Sequence, residues 1–175
     1  MKVLSKKFFD RPTVTVTKDL LGKYLCRNYR GKIIRAEICE VEAYDGFKDK
    51  ASHAHRGVTP RSKVMFGPAG HWYVYFTYGM HWMLNIVTGK SGYPAAVLIR
   101  GVKDVHGPAR VTKFFKIGRS FNGKPANRKA GLWLEDNPKF KSLKLKIKSS
   151  PRVGVAYAGP VWSNKHYRFY CLDRN

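Results

Sequence analysis

The sequence predicts an α+β fold, a single compact domain spanning residues 1–175 around a mostly antiparallel sheet. Three observations point there. Runs rich in β-branched and aromatic residues recur along the chain, with Gly-containing turns between them. Only two stretches carry both a helix start and a helix stop. No internal repeat or linker divides the 175 residues, an ordinary size for one domain. Many strands and few helices, without βαβ alternation, give α+β.

In chain order, residues 12–21 read as a short helix. Pro12 lies near its start, Val14, Leu20 and Leu21 supply its apolar side, and Gly22 stops it. Residues 23–29 and 32–44 read as strands joined by an Arg30-Gly31 turn. Residues 71–78 (HWYVYFTY) form an aromatic strand, with Trp72, Val74 and Phe76 assigned to the core. Residues 82–88 and 95–100 read as two further strands. Gly107-Pro108 opens a helix that runs to Ile117 and stops at Gly118. Residues 143–148 alternate apolar and Lys, a half-buried strand with a basic outer face. Residues 152–157 and 167–172 complete the set as strands.

Charge narrows the partner. Lys plus Arg number 34 against 11 Asp plus Glu, a net charge of +23. Such an excess repels itself, and a polyanion relieves it, nucleic acid being the commonest. Five of the eleven acids (Glu37, Glu40, Glu42, Asp45 and Asp49) fall within 13 residues, whereas residues 50–134 hold only Asp104. A basic chain that concentrates its carboxylates has a use for one of them, the others pairing with nearby Lys and Arg.

Cys26, Cys39 and Cys171 are odd in number and far apart, which argues against a disulfide framework or a cysteine zinc site. No apolar run is long enough to cross a membrane, and the first eleven residues lack a signal-peptide core. A reduced intracellular setting is expected.

Three stretches carry the candidate chemistry. Along residues 33–44, period-two alternation puts Cys39, Val41 and Ala43 on one face and Glu40, Glu42 and Tyr44 on the other. That second face is either an exposed, solubilising surface or the seat of a general base. Residues 71–85 (HWYVYFTYGMHWMLN) hold three Tyr, two Trp, two His and one Phe. Aromatic faces stack on extruded bases and attract cations. Tyr75 and Tyr78 are singled out, and Tyr78-Gly79-Met80 reads as a turn tip able to wedge into a base stack. His53 and His55, in the basic loop 51–61, lack the companions of a zinc site, and the His-x-Glu with Pro-Cys-x-x-Cys of zinc deaminases is missing. Arg61, Lys63 and Arg110 are candidate phosphate contacts.

Taken together these residues resemble the alkyladenine (3-methyladenine) DNA glycosylase family. The resemblance spans nearly the whole chain: VEAY at 41–44, ASH at 51–53, TPR at 59–61, YVYFTYGMHWMLN at 73–85, VLIR at 97–100, GPAR at 107–110, RVGV at 152–155 and YRFY at 167–170, in the family's order.

It implies a fold similar to the C-terminal domain of methionyl-tRNA formyltransferase, and a monofunctional enzyme that uses water and leaves an abasic site. By resemblance, Glu42 is the general base and Arg100 helps hold its water and a nearby phosphate. Tyr44, His53 and Tyr75 enclose the flipped base, and Asn85 disfavours the 2-amino group of guanine. Tyr78 replaces the base in the duplex, with Met80 beside it. The implied partner is double-stranded DNA with damaged purines, bound by a monomer without metal or other cofactor. The implied location is the cytoplasmic nucleoid in a bacterium, or nucleus or organelle in a eukaryote. Two departures stand out: His81 replaces a frequent Tyr, and Arg110 a usual Lys. The residues alone leave two other readings open. One is a non-enzymatic RNA binder; the other is a glycosylase-lyase with a nucleophilic Lys.

Overall fold

The computed structural model describes residues 1–141 and 146–171. In chain order its helices are α1 (Lys6–Phe9), α2 (Thr13–Leu20), α3 (Pro108–Phe114), α4 (Pro138–Lys141) and α5 (Gly159–Ser163). Its strands are β1 (Tyr24–Tyr29), β2 (Lys32–Asp45), β3 (Trp72–Thr77), β4 (His81–Val87), β5 (Ala95–Val102), β6 (Val105–His106), β7 (Leu132–Glu135), β8 (Ile147–Ser150) and β9 (Arg168–Cys171). All nine belong to one sheet, and every pairing is antiparallel. The α+β expectation holds.

The main path through the sheet runs β3-β4-β5-β2-β1-β7. β2 organises it. Its first half pairs with β1 across the Arg30-Gly31 turn, where both residues have positive φ. Its second half lies between β5 and β9. The register between β2 and β5 slips twice. Ile38 faces Val102, Glu40 faces Gly101 and Val41 faces Ile99, so Cys39 on β2 and Arg100 on β5 are extra residues in compensating bulges. Bulges re-aim side chains and concentrate beside active sites.

The core lies where α2 and α3 cover the sheet: Phe9, Leu20, Leu21, Trp72, Leu84, Ile99 and Phe115 are buried there. At about 25 cal/mol per Å² of apolar surface, each such side chain contributes roughly 1.5–3 kcal/mol. Trp72 is fully buried without a polar penalty, because its indole N–H donates to the Leu132 carbonyl at 3.1 Å.

Several expectations need correction. The helix from Gly107-Pro108 ends at Phe114, not Ile117. Lys116 adopts φ 54°, and this reversal turns Ile117 back into the core. Residues 152–157 are no strand. They make a turn through Gly154 (φ 75°) and enter a 3-10 turn, Ala156–Ala158. β7 was not anticipated. Phe76, assigned to the core, is 45% exposed and stacks on Trp82 at 4.7 Å. Of the half-buried strand expected at 143–148, residues 143–145 lie outside those described. The remainder opens β8, where Ile147 is exposed rather than buried.

Candidate active site

Glu42 stands where β2 has a neighbour on both sides, opposite Leu98 of β5 and Arg168 of β9. Its side chain has no solvent exposure. Taking a carboxylate out of water costs several kcal/mol unless donors replace the lost hydration. Three do so. The Val153 N–H donates to Oε1 at 2.8 Å, the Tyr44 hydroxyl to Oε2 at 2.9 Å, and Arg100 Nη1 lies 3.4 Å from Oε1. Burial pushes the Glu42 pKa up, and Arg100, the Val153 amide, Tyr44 and Arg152 pull it back without cancelling the rise. The same burial, with Glu42 beside it, raises the Tyr44 phenol well above its usual range, so it stays a donor.

In front of Glu42 is a cavity of about 320 Å³, near the lower end of the roughly 300–1,000 Å³ typical of small-molecule pockets. Tyr44 of β2 and Leu98 and Arg100 of β5 line it. β3 and β4 supply Tyr73, Tyr75, Met83 and Asn85, and His53 and the exposed Tyr157 complete the lining. Glu42 is not itself in the lining, but all three groups that hold it are.

The aromatic wall is locked. The His53 and Tyr75 rings meet edge to face at 4.7 Å, and Tyr73 and Tyr75 lie 5.2 Å apart. His53 Nδ1 shares a 2.9 Å hydrogen bond with the Tyr73 hydroxyl. Burial, then the Arg61 charge, lowers the His53 pKa from 6.5 to about 4. The imidazole is therefore neutral near neutral pH. Asn85 is buried, with Nδ2 donating to the Tyr73 carbonyl at 3.1 Å. The arrangement can hold a flat ring among aromatic faces with a carboxylate behind it.

A buried ion pair joins the two loops beside the cavity. Arg152 Nη1 and Nη2 contact the Asp49 carboxylate at 2.6 and 2.8 Å, and both side chains are fully buried. Arg152 also donates to the Ala43 carbonyl at 2.9 Å and lies over the Tyr44 ring at 4.8 Å. This anchor precedes Val153 directly, so it fixes the N–H that Glu42 accepts.

The β3–β4 hairpin ends at Tyr78-Gly79, both with positive φ. Tyr78 is 81% exposed and touches the cavity edge, whereas Met80 is 67% exposed and lies outside the lining. Arg61 sits 4.7 Å over the Tyr75 ring. Lys63 and Arg110 are exposed, at the start of a 3-10 turn and in the first turn of α3.

The structure thus brings Tyr44, His53, Tyr75, Tyr78, Asn85 and Arg100 to one cavity, with Glu42 behind it. Lys63, Arg110 and Met80 stand apart from it. Sequence reasoning missed Tyr73, Tyr157, the Val153 amide and the Arg152–Asp49 anchor. A signal existed for the anchor alone: Asp49 belongs to the cluster of acids, and RVGV opens on an arginine.

Comparison with known proteins specifies the class. The family model for methylpurine-DNA glycosylase (MPG) matches residues 7–106 and 103–175. A protein of Methanocella arvoryzae named "Putative 3-methyladenine DNA glycosylase" is 42% identical over 195 aligned residues, covering 100% of this chain and 94% of its own. One of the same name from Legionella pneumophila is 39% identical, covering 99% and 96%. One from Alkaliphilus oremlandii is 54% identical over 59% of this chain and 52% of its own. The matches define a DNA glycosylase, a hydrolase of N-glycosyl bonds. The chain belongs to the alkyladenine (3-methyladenine) DNA glycosylase family.

Proposed function

We propose that the chain is a monofunctional glycosylase. It flips alkylated or deaminated purines, of the 3-methyladenine, hypoxanthine and ethenoadenine class, out of duplex DNA. It then hydrolyses the N-glycosidic bond with water, leaving an abasic site for base excision repair. The observation that carries this reading is the fully buried Glu42 carboxylate, held by Tyr44, Arg100 and the Val153 amide behind an aromatic cavity of about 320 Å³.

Cationic side chains, Arg61, Lys63 and Arg110 among them, capture the phosphate backbone. Extruding a base costs a few kcal/mol, least where the base is damaged or mispaired. Tyr78, with Met80 beside it, fills the gap. The base enters among Tyr44, His53 and Tyr75, whose faces favour a cationic purine. Asn85 disfavours an added 2-amino group. Glu42 orients and deprotonates a water, and Arg100 holds that water and the nearby phosphate. The water oxygen bonds to the sugar C1′ as the C1′–N bond breaks. The bonding pair leaves with the purine, which departs neutral if it was cationic and takes up a proton if it was neutral, and the water proton passes to Glu42. The enzyme acts as a monomer; with bacterial and archaeal relatives, its working place is the nucleoid.

The test is abasic-site release from duplexes carrying 3-methyladenine, hypoxanthine or ethenoadenine. Glu42→Gln loses on the order of 10²–10⁴-fold in single-turnover excision, the usual worth of a general base, and still binds DNA. Near-normal excision by that variant would overturn the assignment. A covalent adduct trapped by borohydride would replace water with a lysine nucleophile.

A further inference from the structure

Beside Glu42 lies a second carboxylate that the mechanism leaves unused. Glu40 Oε1 accepts from Arg100 Nε at 2.9 Å and stands 3.3 Å from Arg168 Nη1. The same Arg100 reaches Glu42 through Nη1 at 3.4 Å. One guanidinium is thus shared by two carboxylates, with the shorter contact going to Glu40.

The backbone is shaped for this sharing. Arg100 is the extra residue of the β5 bulge, so its side chain is aimed by an irregularity rather than by the regular pleat. Gly101 faces Glu40 across the strands. A Cβ there would lie 3.1 Å from Glu40 Cβ and 3.3 Å from Cys39 Sγ, so glycine permits the close approach. Glu40 is nearly covered, at 17% side-chain exposure, and Arg100 at 13%. A guanidinium between two carboxylates this enclosed is only weakly screened.

We infer that Glu40 is a positioning residue for the excision reaction: it holds Arg100 by Nε and so keeps that arginine from closing fully onto Glu42. The inference rests on reading Glu42 as the base. A carboxylate gripped by a whole guanidinium fork is a weaker base, and the fork occupies the place where water must sit. Glu40 leaves Arg100 close enough to keep Glu42 ionised and far enough to leave it reactive.

Charged and titratable groups reach this pair from several neighbouring elements, and His106 of β6 stands opposite Gly101. Tyr44 and Glu40 lie on β2, Arg100 on β5 and Arg168 on β9. Arg152 comes from the loop after β8, and Tyr75 of β3 interacts with Glu42 electrostatically. Of these, Glu40 and Arg168 can be substituted while Glu42 and the three groups that hold it keep their identity.

The experiment follows single-turnover excision against pH on a duplex with one cationic N-methylated purine. That leaving group departs without a proton, so the acid limb reports the base alone. Glu40→Gln releases Arg100 onto Glu42. Its plateau rate falls on the order of tenfold, short of the 10²–10⁴-fold of losing a general base, and its acid limb moves to lower pH. Arg168→Gln leaves Glu40 to draw Arg100 away, and its acid limb moves to higher pH. Opposite shifts together with the fall in the Glu40→Gln plateau support the proposal, whereas opposite shifts at an unchanged plateau report only the loss of a nearby charge and overturn it. An unmoved limb in both folded variants, or shifts in one direction, overturns it. If Glu42→Gln excises normally in the same assay, the base assignment falls and this inference with it. If Glu42→Gln is inactive and the Glu40→Gln limb stays in place, only the role of Glu40 falls.

Discussion

His53 shows how the wall of the cavity sets the state of a single side chain. Its ring is packed against Tyr75 and tied to the Tyr73 hydroxyl, so protonation would put an extra charge into an apolar wall beside Arg61. The folded pKa falls to about 4 from 6.5. The unfolded chain therefore takes up this proton first as pH drops. Stability from His53 is fully present above pH 6.5, is lost progressively down to about pH 4, and changes no further below that. Thermal unfolding from pH 7 to 4 should show a decline that is shallower in His53→Gln, and an NMR titration should keep the His53 ring neutral at pH 6. An imidazole that protonates near pH 6.5 would contradict this. His53 and Glu42 were both visible in the sequence, one by its basic loop and one by strand alternation. Tyr73, the Val153 amide and the arginine that Glu40 shares with Glu42 were not, because their places depend on who meets whom across strands. Period two assigns Glu40 and Glu42 to one face, but only the paired bulges show that both reach the same arginine.

At the scale of an element, the β3–β4 hairpin carries the most legible feature and a cost. Tyr78 sits at φ 51°, where an L-residue loses roughly 1–2 kcal/mol relative to the right-handed region. With 81% of its surface exposed, Tyr78 makes few contacts that repay that strain. Strain of this kind persists where function uses it. Tyr78→Gly should therefore stabilise the free protein by up to about 1 kcal/mol, after the entropy cost of glycine, raising Tm by roughly 2–4 °C. It should at the same time lose capture of the flipped state, read by a fluorescent base analogue in the duplex. Stability and flipping that fall together would mean the tip is only structural. The hairpins at Arg30-Gly31 and Tyr78-Gly79 were readable because positive-φ turns announce themselves by glycine. β7 was not: it is four residues long and paired with β1 more than a hundred positions earlier. Residues 152–157 looked like a strand from their alternating valines, but their backbone is bent by the buried Arg152–Asp49 pair and by the Glu42 contact.

Over the whole molecule, the acids nearest the cavity are enclosed, while Asp10, Asp19 and Asp104 stay exposed away from it. Glu42, Asp49 and Glu135 have no exposure, and Glu40 is held between two arginines. The long acid-poor stretch of residues 50–134, interrupted only by Asp104, contains the cavity wall, the hairpin tip and the candidate phosphate contacts Arg61, Lys63 and Arg110. This stretch therefore carries a strong positive excess, and the proposed function puts DNA against it. Binding that neutralises phosphates releases counterions, and log K falls against log salt with a slope of about −0.9 per contact. Six to ten contacts, a typical number for such a surface, would lower affinity by about 10³–10⁵ between 50 and 200 mM salt. Lys63→Ala and Arg110→Ala should each weaken binding evenly across sequences and reduce the slope by about 1, since neither side chain lines the cavity. Titrations of undamaged duplex at several salt concentrations measure this directly. A slope unchanged in both variants would move the phosphate track to other cations on the same face. A loss confined to lesion-containing DNA would instead tie these two side chains to the flipped state.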